Sequence, residues 1–449
     1  MASSIPPLTP SSLPPEILGM ILQYALPSHI IDFKTYPGNR CSLCLVCRLW
    51  NAVLRSTPCA WSCIPVTLNT NTQFVRFCIT QAKTIPISLY LYLNPLAAPD
   101  RRIPQPTPQP ETVAGLVFAL LRQLSATLGA LNIVCSKGRA FMSIARSLSC
   151  VDRRHLVDLS LVFPSPFDPV RLRQPTETLP LFSDSSSSVV ALELCRCPPP
   201  LDTHAIFVNL AVLRLTYFNG RQFRLSWSRL SDVLSTTHRL TLLQLDHVEC
   251  HDLSQPNFPV PTLAYLTDLI LSFSTTPAAV VASRIHMPAV TGLCLDIVDA
   301  SEIVAFGTLT EWFTNRCSHI LRRITVADIC VRDTSSSDTK NLLLAMPALQ
   351  KLDLGRSQQY LKDALSCILD DHRFSWPRLG TIRLGFGLAT ADIRGLLHIQ
   401  YQQRLASGCV LVSPSSSESS TGFKWQRSSL IGGTLDSGDL TTDLKFGPW

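Results

Sequence analysis

The chain has 449 residues, of which 46% are hydrophobic and 16% are charged, and its formal net charge is +7. This length gives room for two or three domains, and the apolar content is sufficient for a core. The basic residues are scattered along the sequence, whereas nucleic-acid-binding proteins concentrate them on one face or in one block. We therefore expect no nucleic-acid partner.

Sixteen cysteines would indicate a disulfide framework in a short secreted chain. Here the chain is long, and its first residues, MASSIPPLTPSSLPPEI, lack the basic and apolar regions of a signal peptide. The most apolar stretch, residues 113–134, is interrupted by Arg122 and Gln123, so we expect no membrane span. These features predict an intracellular protein, cytoplasmic or nuclear, with reduced and mostly buried thiols.

A first helix is predicted at the sequence LPPEIL. Ser11 and Ser12 can cap it, the prolines suit a first turn, and Glu16 favours the positive helix end. Residues at helical spacing form its apolar stripe: Ile17, Leu18, Ile21, Leu22 and Ala25.

A second helix is predicted over residues 41–55, and Thr57-Pro58 ends it. Its apolar stripe consists of Leu43, Val46, Cys47, Trp50, Val53 and Leu54. Fewer than about 60 residues make a marginal domain. The two helices therefore need a partner or a following domain to cover the rest of their apolar surface.

The segments LPPEIL and CSLCLVCRLWNAVLRSTPCAW resemble the F-box-like motif of the large fungal F-box families, especially those of mushrooms. The family pattern is an LP-x-E start, a V-C-R-x-W helix and a P-x-x-W ending, and the resemblance covers residues 11–65. One departure is an insertion at residues 28–40. The resemblance implies docking on a Skp-family adaptor of a cullin ligase core, through Leu13, Pro14, Glu16, Ile17, Leu18, Ile21, Leu22, Val46, Cys47 and Trp50. The alternative is a helical hairpin that only caps the next domain.

The pattern apolar-x-x-apolar-x-apolar recurs ten times beyond the first helices, at intervals of 21 to 33 residues. These hexads begin at Leu128, Leu156, Val189, Leu210, Leu240, Leu266, Val290, Leu321, Leu349 and Leu379. Helices with apolar residues at helical spacing are predicted at 139–150, 229–238, 302–317, 358–371 and 392–405. Leucine-rich repeats have about 20–29 residues, each with one short strand and a return segment. The prediction is an α/β chain: a small helical module, then an irregular leucine-rich-repeat-like solenoid with short parallel strands. A doubly wound sheet stays open as the alternative.

The repeat consensus places Asn or Cys three residues after the last apolar position. Only Cys197 meets this requirement, so the predicted repeats are divergent. The predicted domain organisation is a helical module at 11–65, a strand–helix–strand and Pro-rich connection at 66–127, an array at 128–412 and a Ser-rich tail at 413–449.

No motif indicates catalysis or a cofactor. Cys41, Cys44 and Cys47 lie three residues apart, but zinc needs four ligands and no second pair of cysteines stands nearby. The segment His247–His251 lacks the context of a zinc deaminase or a zinc protease. We expect no enzyme, no catalytic residue, no metal site and no cofactor.

Strand alternation predicts which residues point away from the core. The predicted outward set is Glu193, Arg214, Gln244, Asp246, Asp268, Asp296, Arg323, Lys351, Asp353 and Arg383. The predicted target-binding residues among them are Arg214, Arg323, Lys351, Asp353 and Arg383. The predicted function is a substrate-recognition subunit of a Skp–cullin–F-box ubiquitin ligase that recruits an unidentified target protein. The alternative is a non-ligase interaction scaffold whose F-box is vestigial.

Overall fold

A computed structural model describes 19 separate segments of the chain. They are residues 13–26, 36–68, 70–93, 110–124, 127–135, 141, 143–144, 148, 155–163, 188–196, 206–217, 225–248, 250–252, 260–273, 281–297, 318–331, 341–354, 381–384 and 410–412. Within these residues the protein is mixed α/β, with an N-terminal helical region followed by a parallel sheet.

The N-terminal region contains α1 (Pro15–Ala25), α2 (Tyr36–Val46), α3 (Arg48–Ser56) and a short 3₁₀ helix at Pro58–Trp61. The prediction of one continuous second helix is wrong, because the extended backbone of Cys47 (φ −161°, ψ 170°) separates α2 from α3. The Cys47 carbonyl accepts the N–H of Asn51 at 3.1 Å, which is the first hydrogen bond of α3.

Thirteen parallel strands form one sheet, and their order across the sheet follows their order in the chain. They are β1 (Cys63–Thr67), β2 (Ile87–Tyr92), β3 (Leu128–Val134), β4 (Asp158–Val162), β5 (Ala191–Cys195), β6 (Val212–Thr216), β8 (Leu242–Asp246), β10 (Asp268–Phe273), β11 (Gly292–Ile297), β12 (Val326–Val331), β13 (Lys351–Leu354), β14 (Thr381–Leu384) and β15 (Val410–Val412). The short strands β7 (Leu225–Ser226) and β9 (Cys250–His251) pair separately.

The helices between strands include α4 (Thr72–Ala82), α5 (Pro110–Leu124), α6 (Trp227–Thr236) and α7 (Ser318–Leu321), and residues 281–283 and 341–344 are also helical. α6 matches the helix predicted at 229–238, and residues 141, 143–144 and 148 are helical within the predicted 139–150. The other three predicted return helices lie outside the described residues. No helix in the described part of the chain is long and apolar enough to cross a membrane.

The strand register brings the leucines of successive hexads side by side. One row across β4 to β11 consists of Leu159, Leu192, Leu213, Leu243, Leu269 and Leu293, all buried. Nine of the ten predicted hexads keep this register. The hexad placed at Leu321 is wrong by three residues, because Leu321 ends α7 and Ala327 is the residue that pairs with Leu293.

A threonine ladder precedes four adjacent strands, from β8 to β12. The N–H of Thr267, Thr291 and Thr325 donates to the carbonyl of the preceding threonine at 2.8–3.0 Å. The hydroxyls of Thr267 and Thr325 donate to the same carbonyls at 3.1 and 3.3 Å. The ladder therefore satisfies carbonyls at the amino ends of the strands, whereas the consensus ladder position Cys197 lies outside the described residues.

One continuous apolar core runs from the N-terminal helices to the sheet, from Leu18 and Leu54 through Ile64 to Leu352. The helical region is therefore packed on the start of the sheet and shares its core. This packing supplies part of the apolar cover that two isolated helices could not provide for themselves.

Candidate functional site

The exposed face of α1 carries apolar side chains at positions i, i+3, i+4 and i+7. They are Ile17, Met20, Ile21 and Tyr24, with exposed fractions of 45%, 54%, 46% and 85%. Residues at these spacings share one face of a helix. Exposed apolar residues scattered singly are ordinary, but a continuous apolar face on a helix indicates an interaction site.

The opposite face of α1 is part of the core. Leu18, Leu22 and Leu26 are buried, and a Cβ atom at Gly19 would lie 3.2 Å from the Thr57 Oγ1 atom and 3.6 Å from the Val53 side chain. α1 thus approaches α3 closely along this face. The predicted stripe of α1 therefore divides between two opposite faces, one buried and one exposed.

Helix α2 adds two exposed apolar residues at its carboxyl end, Leu45 (83%) and Val46 (57%). α1 and α2 both contact α3, so their exposed apolar residues belong to one helical assembly. We call Ile17, Met20, Ile21, Tyr24, Leu45 and Val46 together the docking face. The charged residue of α1, Glu16, is also exposed.

The tryptophans of the motif hold the helices together. The Trp61 indole N–H donates to the Leu54 carbonyl at 2.8 Å, and the Trp61 ring packs edge-on against Phe77 at 5.0 Å between centroids. Trp50 is half-buried and packs against the core. Trp61 thus joins α3 to α4, the first helix of the sheet region.

The ten residues predicted to bind an adaptor fall into three groups. Pro14, Glu16, Ile17, Ile21, Val46 and Cys47 are exposed, Leu13 and Trp50 are half-buried, and Leu18 and Leu22 are buried. Leu18 and Leu22 can support a docking surface but not form it. The predicted set did not include the exposed apolar residues Met20, Tyr24 and Leu45. Met20 and Tyr24 lie three and seven residues after Ile17, so helical spacing could have indicated them.

The outward face of the sheet carries polar residues in register on adjacent strands: Ser160, Glu193, Arg214 and Gln244. The Ser160 hydroxyl donates to the Glu193 carboxylate at 3.0 Å. Three members of the predicted outward set, Glu193, Gln244 and Asp246, are nevertheless buried, since each is at most 8% exposed.

The predicted target-binding residues do not lie in one patch. Asp353 and Arg383 are register partners on β13 and β14, and Lys351 begins β13. Arg214 is five strands away on β6, or roughly 24 Å at the usual strand spacing. Arg323 lies in the turn before β12, where its guanidinium donates to the Pro288 carbonyl. Its predicted place on the sheet followed from the displaced hexad, and Val326, which pairs with Gly292 and Lys351, occupies the corresponding position.

A stack of side chains stands at the carboxyl ends of β5, β6 and β8. The Arg196 guanidinium lies 4.2 Å from the Tyr217 ring centroid, and the Tyr217 and His247 rings stack at 4.7 Å. His247 Nδ1 also contacts the Asp246 carboxylate. All three stacked residues have positive φ, from 51° to 58°. All three occupy the same position, two residues after the end of their hexads.

The cysteine thiols divide by burial. Burial raises the pKa of Cys78 to about 11 and that of Cys195 and Cys250 to about 12, whereas Cys41 and Cys47 are exposed. In the described part of the chain, no group of three or more His, Cys, Asp or Glu residues could hold a metal ion.

At pH 8 iodoacetamide is expected to alkylate Cys41 and Cys47 in the native protein and to spare Cys78, Cys195 and Cys250, because the thiolate is the nucleophile. Peptide mass spectrometry measures the labelling of each thiol. Equal labelling of all five thiols would contradict the burial.

The raised pKa values of Cys78 and Cys195 also predict that the free energy of unfolding falls as pH rises from about 9 to about 12, since the unfolded chain releases these protons first. Unfolding curves recorded across this pH range measure the effect.

Comparison with known proteins identifies the helical region. A family model described as F-box-like matches residues 10–64, a range that contains α1, α2, α3 and the 3₁₀ helix. No curated protein matches the chain. F-box domains generally bind Skp-type adaptors, and proteins that contain them are typically adaptors rather than enzymes. The domain indicates a ubiquitin-ligase adaptor or a protein-interaction role.

Proposed function

We propose that this chain is the substrate-recognition subunit of a Skp–cullin–F-box ubiquitin ligase. Its N-terminal helices dock on a Skp-family adaptor, which connects it to the cullin core, and its sheet region binds a target protein. The observation that carries the proposal is the exposed apolar docking face within the segment that matches the F-box-like family. The chain then supplies recognition, and other subunits perform ubiquitin transfer.

The docking face suits an adaptor interface because its exposed side chains are large and apolar. Fully burying one such side chain is worth about 1.5–3 kcal/mol. Ile17, Met20, Ile21 and Tyr24 are already ordered on a helix whose other face is fixed in the core. A preorganised helix face has little conformational entropy left to lose on binding.

We propose that the sheet region is a divergent leucine-rich-repeat-like solenoid, as in the fungal F-box families that the motif resembles. The parallel strands in chain order and the buried leucine rows support this proposal. The target-binding surface is proposed on the outward face. It includes Arg214 on β6 and, at a separate place, Lys351, Asp353 and Arg383 on β13 and β14. The proposed set also keeps Arg323, which lies in the turn before β12, at the amino end of that strand.

Calorimetric titration of the purified full chain with a purified Skp-family adaptor tests the docking step, and a stoichiometric complex is expected. A folded chain that does not bind the adaptor would contradict the proposal and favour an interaction scaffold with a vestigial F-box. Affinity purification from cells with and without proteasome inhibition tests the ligase role. Proteins that accumulate on the chain only under inhibition are expected to be its targets.

A further inference from the structure

Helix α2 is fixed to the protein in an unusual way. Of its side chains that the structure describes, residues 40–46, only Arg40 is fully buried, at 1% exposure. Leu43 and Cys44 are half-buried, and Leu45 and Val46 are exposed. A surface helix normally packs through an apolar stripe. In α2 the fully buried side chain is instead the cationic Arg40.

The Arg40 guanidinium reaches two elements of the sheet region and the 3₁₀ helix that precedes them. Its Nη2 donates to the Cys63 carbonyl of β1 at 2.8 Å, and its Nη1 donates to the Cys78 Sγ of α4 at 3.5 Å. Its Cζ lies 5.1 Å from the centroid of the Trp61 ring. One side chain thereby joins α2 to the 3₁₀ helix, the first strand and the first helix of the sheet region.

These contacts suit arginine in particular. The planar guanidinium presents several N–H donors in a fixed geometry and packs over aromatic faces. Burial raises the pKa of Cys78, and Arg40 only partly opposes that rise, so the thiol stays neutral and accepts as a weak sulfur acceptor. Lysine has one nitrogen and cannot reach the Cys63 carbonyl and the Cys78 sulfur with the same paired geometry.

We propose that Arg40 is a positioning residue that holds α2, and with it Leu45 and Val46, in place against β1 and α4. The link to adaptor binding rests on the proposed function. The position of Leu45 and Val46 then depends on contacts with the first unit of the sheet.

The test compares Arg40→Met with Arg55→Met in the full chain. Arg55 is the matched control, because it lies in the same module, with its Cζ 5.9 Å from the Phe77 ring, but is exposed. In Arg40→Met, hydrogen exchange of α2 and alkylation of Cys78 are each expected to become about tenfold faster. The Kd for the adaptor is expected to rise about tenfold. Effects of this size correspond to the loss of one or two positioned hydrogen bonds. Exchange in α1 is expected to stay unchanged.

If Arg40→Met shows the same α2 exchange rates and the same Cys78 reactivity as the wild type, Arg40 is not a positioning residue. If Arg40→Met does not fold, the same two measurements on Arg40→Lys decide, with faster α2 exchange supporting the role and wild-type rates refuting it. If the wild-type chain does not bind the adaptor, the proposed function fails, but the exchange and alkylation results still decide the role of Arg40.

Discussion

Replacing Ile17 and Ile21 together by aspartate is expected to abolish binding to a Skp-family adaptor and to leave the chain folded. Both side chains are about half exposed and lie one helical turn apart on the docking face. In a complex the two carboxylates would be buried against apolar groups, which is strongly unfavourable. We expect the Kd for the adaptor, measured by calorimetric titration, to rise by more than about 100-fold. An increase of this size is typical when interface hot-spot residues are lost.

The stability of this double variant is expected to change by less than about 1 kcal/mol. Neither isoleucine fills the core, so the two substitutions cost mainly helix propensity within α1. The matched control is Val260→Asp with Tyr265→Asp, which replaces two similarly exposed apolar residues far along the chain. The control variant is expected to bind like the wild type. An unchanged Kd for the α1 variant would place the adaptor interface elsewhere.

The sequence could predict the first helix of the module but not the break at Cys47 or the face of α1 that stays exposed. Adjacent apolar pairs, Ile17-Leu18 and Ile21-Leu22, lie about 100° apart on a helix, and both members are equally apolar. Only the packing of α1 on α3, with the close approach at Gly19, decides that Leu18 is buried and Ile17 is not. That approach is a tertiary contact without a local signal.

The strands were predictable because their leucines repeat in one register. The exception at β12 has a physical reason, since the segment LRRITV fits the hexad pattern with three large apolar residues. The true hexad, Ile324 to Ile329, has the small residue Ala327 at its central core position. The apolar pattern therefore fits residues 321–326 better than the true hexad at residues 324–329.

The polar features of the structure depend on contacts between residues far apart in the chain. The Arg40 contacts span 23 and 38 residues, and the Arg196–Tyr217–His247 stack joins three separate strand ends. No single segment contains the partners in either case. Side-chain geometry of this kind follows from the register of the sheet, which must be known first.

Truncating Trp227 to alanine is expected to destabilise the chain by about 3–5 kcal/mol, the usual cost of removing a buried aromatic side chain. Trp227 is 1% exposed and is the largest of the fully buried side chains in the described part of the chain. It begins α6, where its backbone N–H donates to the Asp252 Oδ1 atom at 2.7 Å. The substitution therefore leaves a cavity beneath the helix that connects β6 to β8.

Urea unfolding measures this loss, with Asp232→Ala as the matched control because Asp232 is an exposed residue of the same helix. The control is expected to change stability by less than about 0.5 kcal/mol. A loss below about 1 kcal/mol for Trp227→Ala would contradict the burial. At temperatures where the variant is folded, adaptor affinity is expected to be unchanged, since each strand pairs only with its neighbours and the docking face lies before β1.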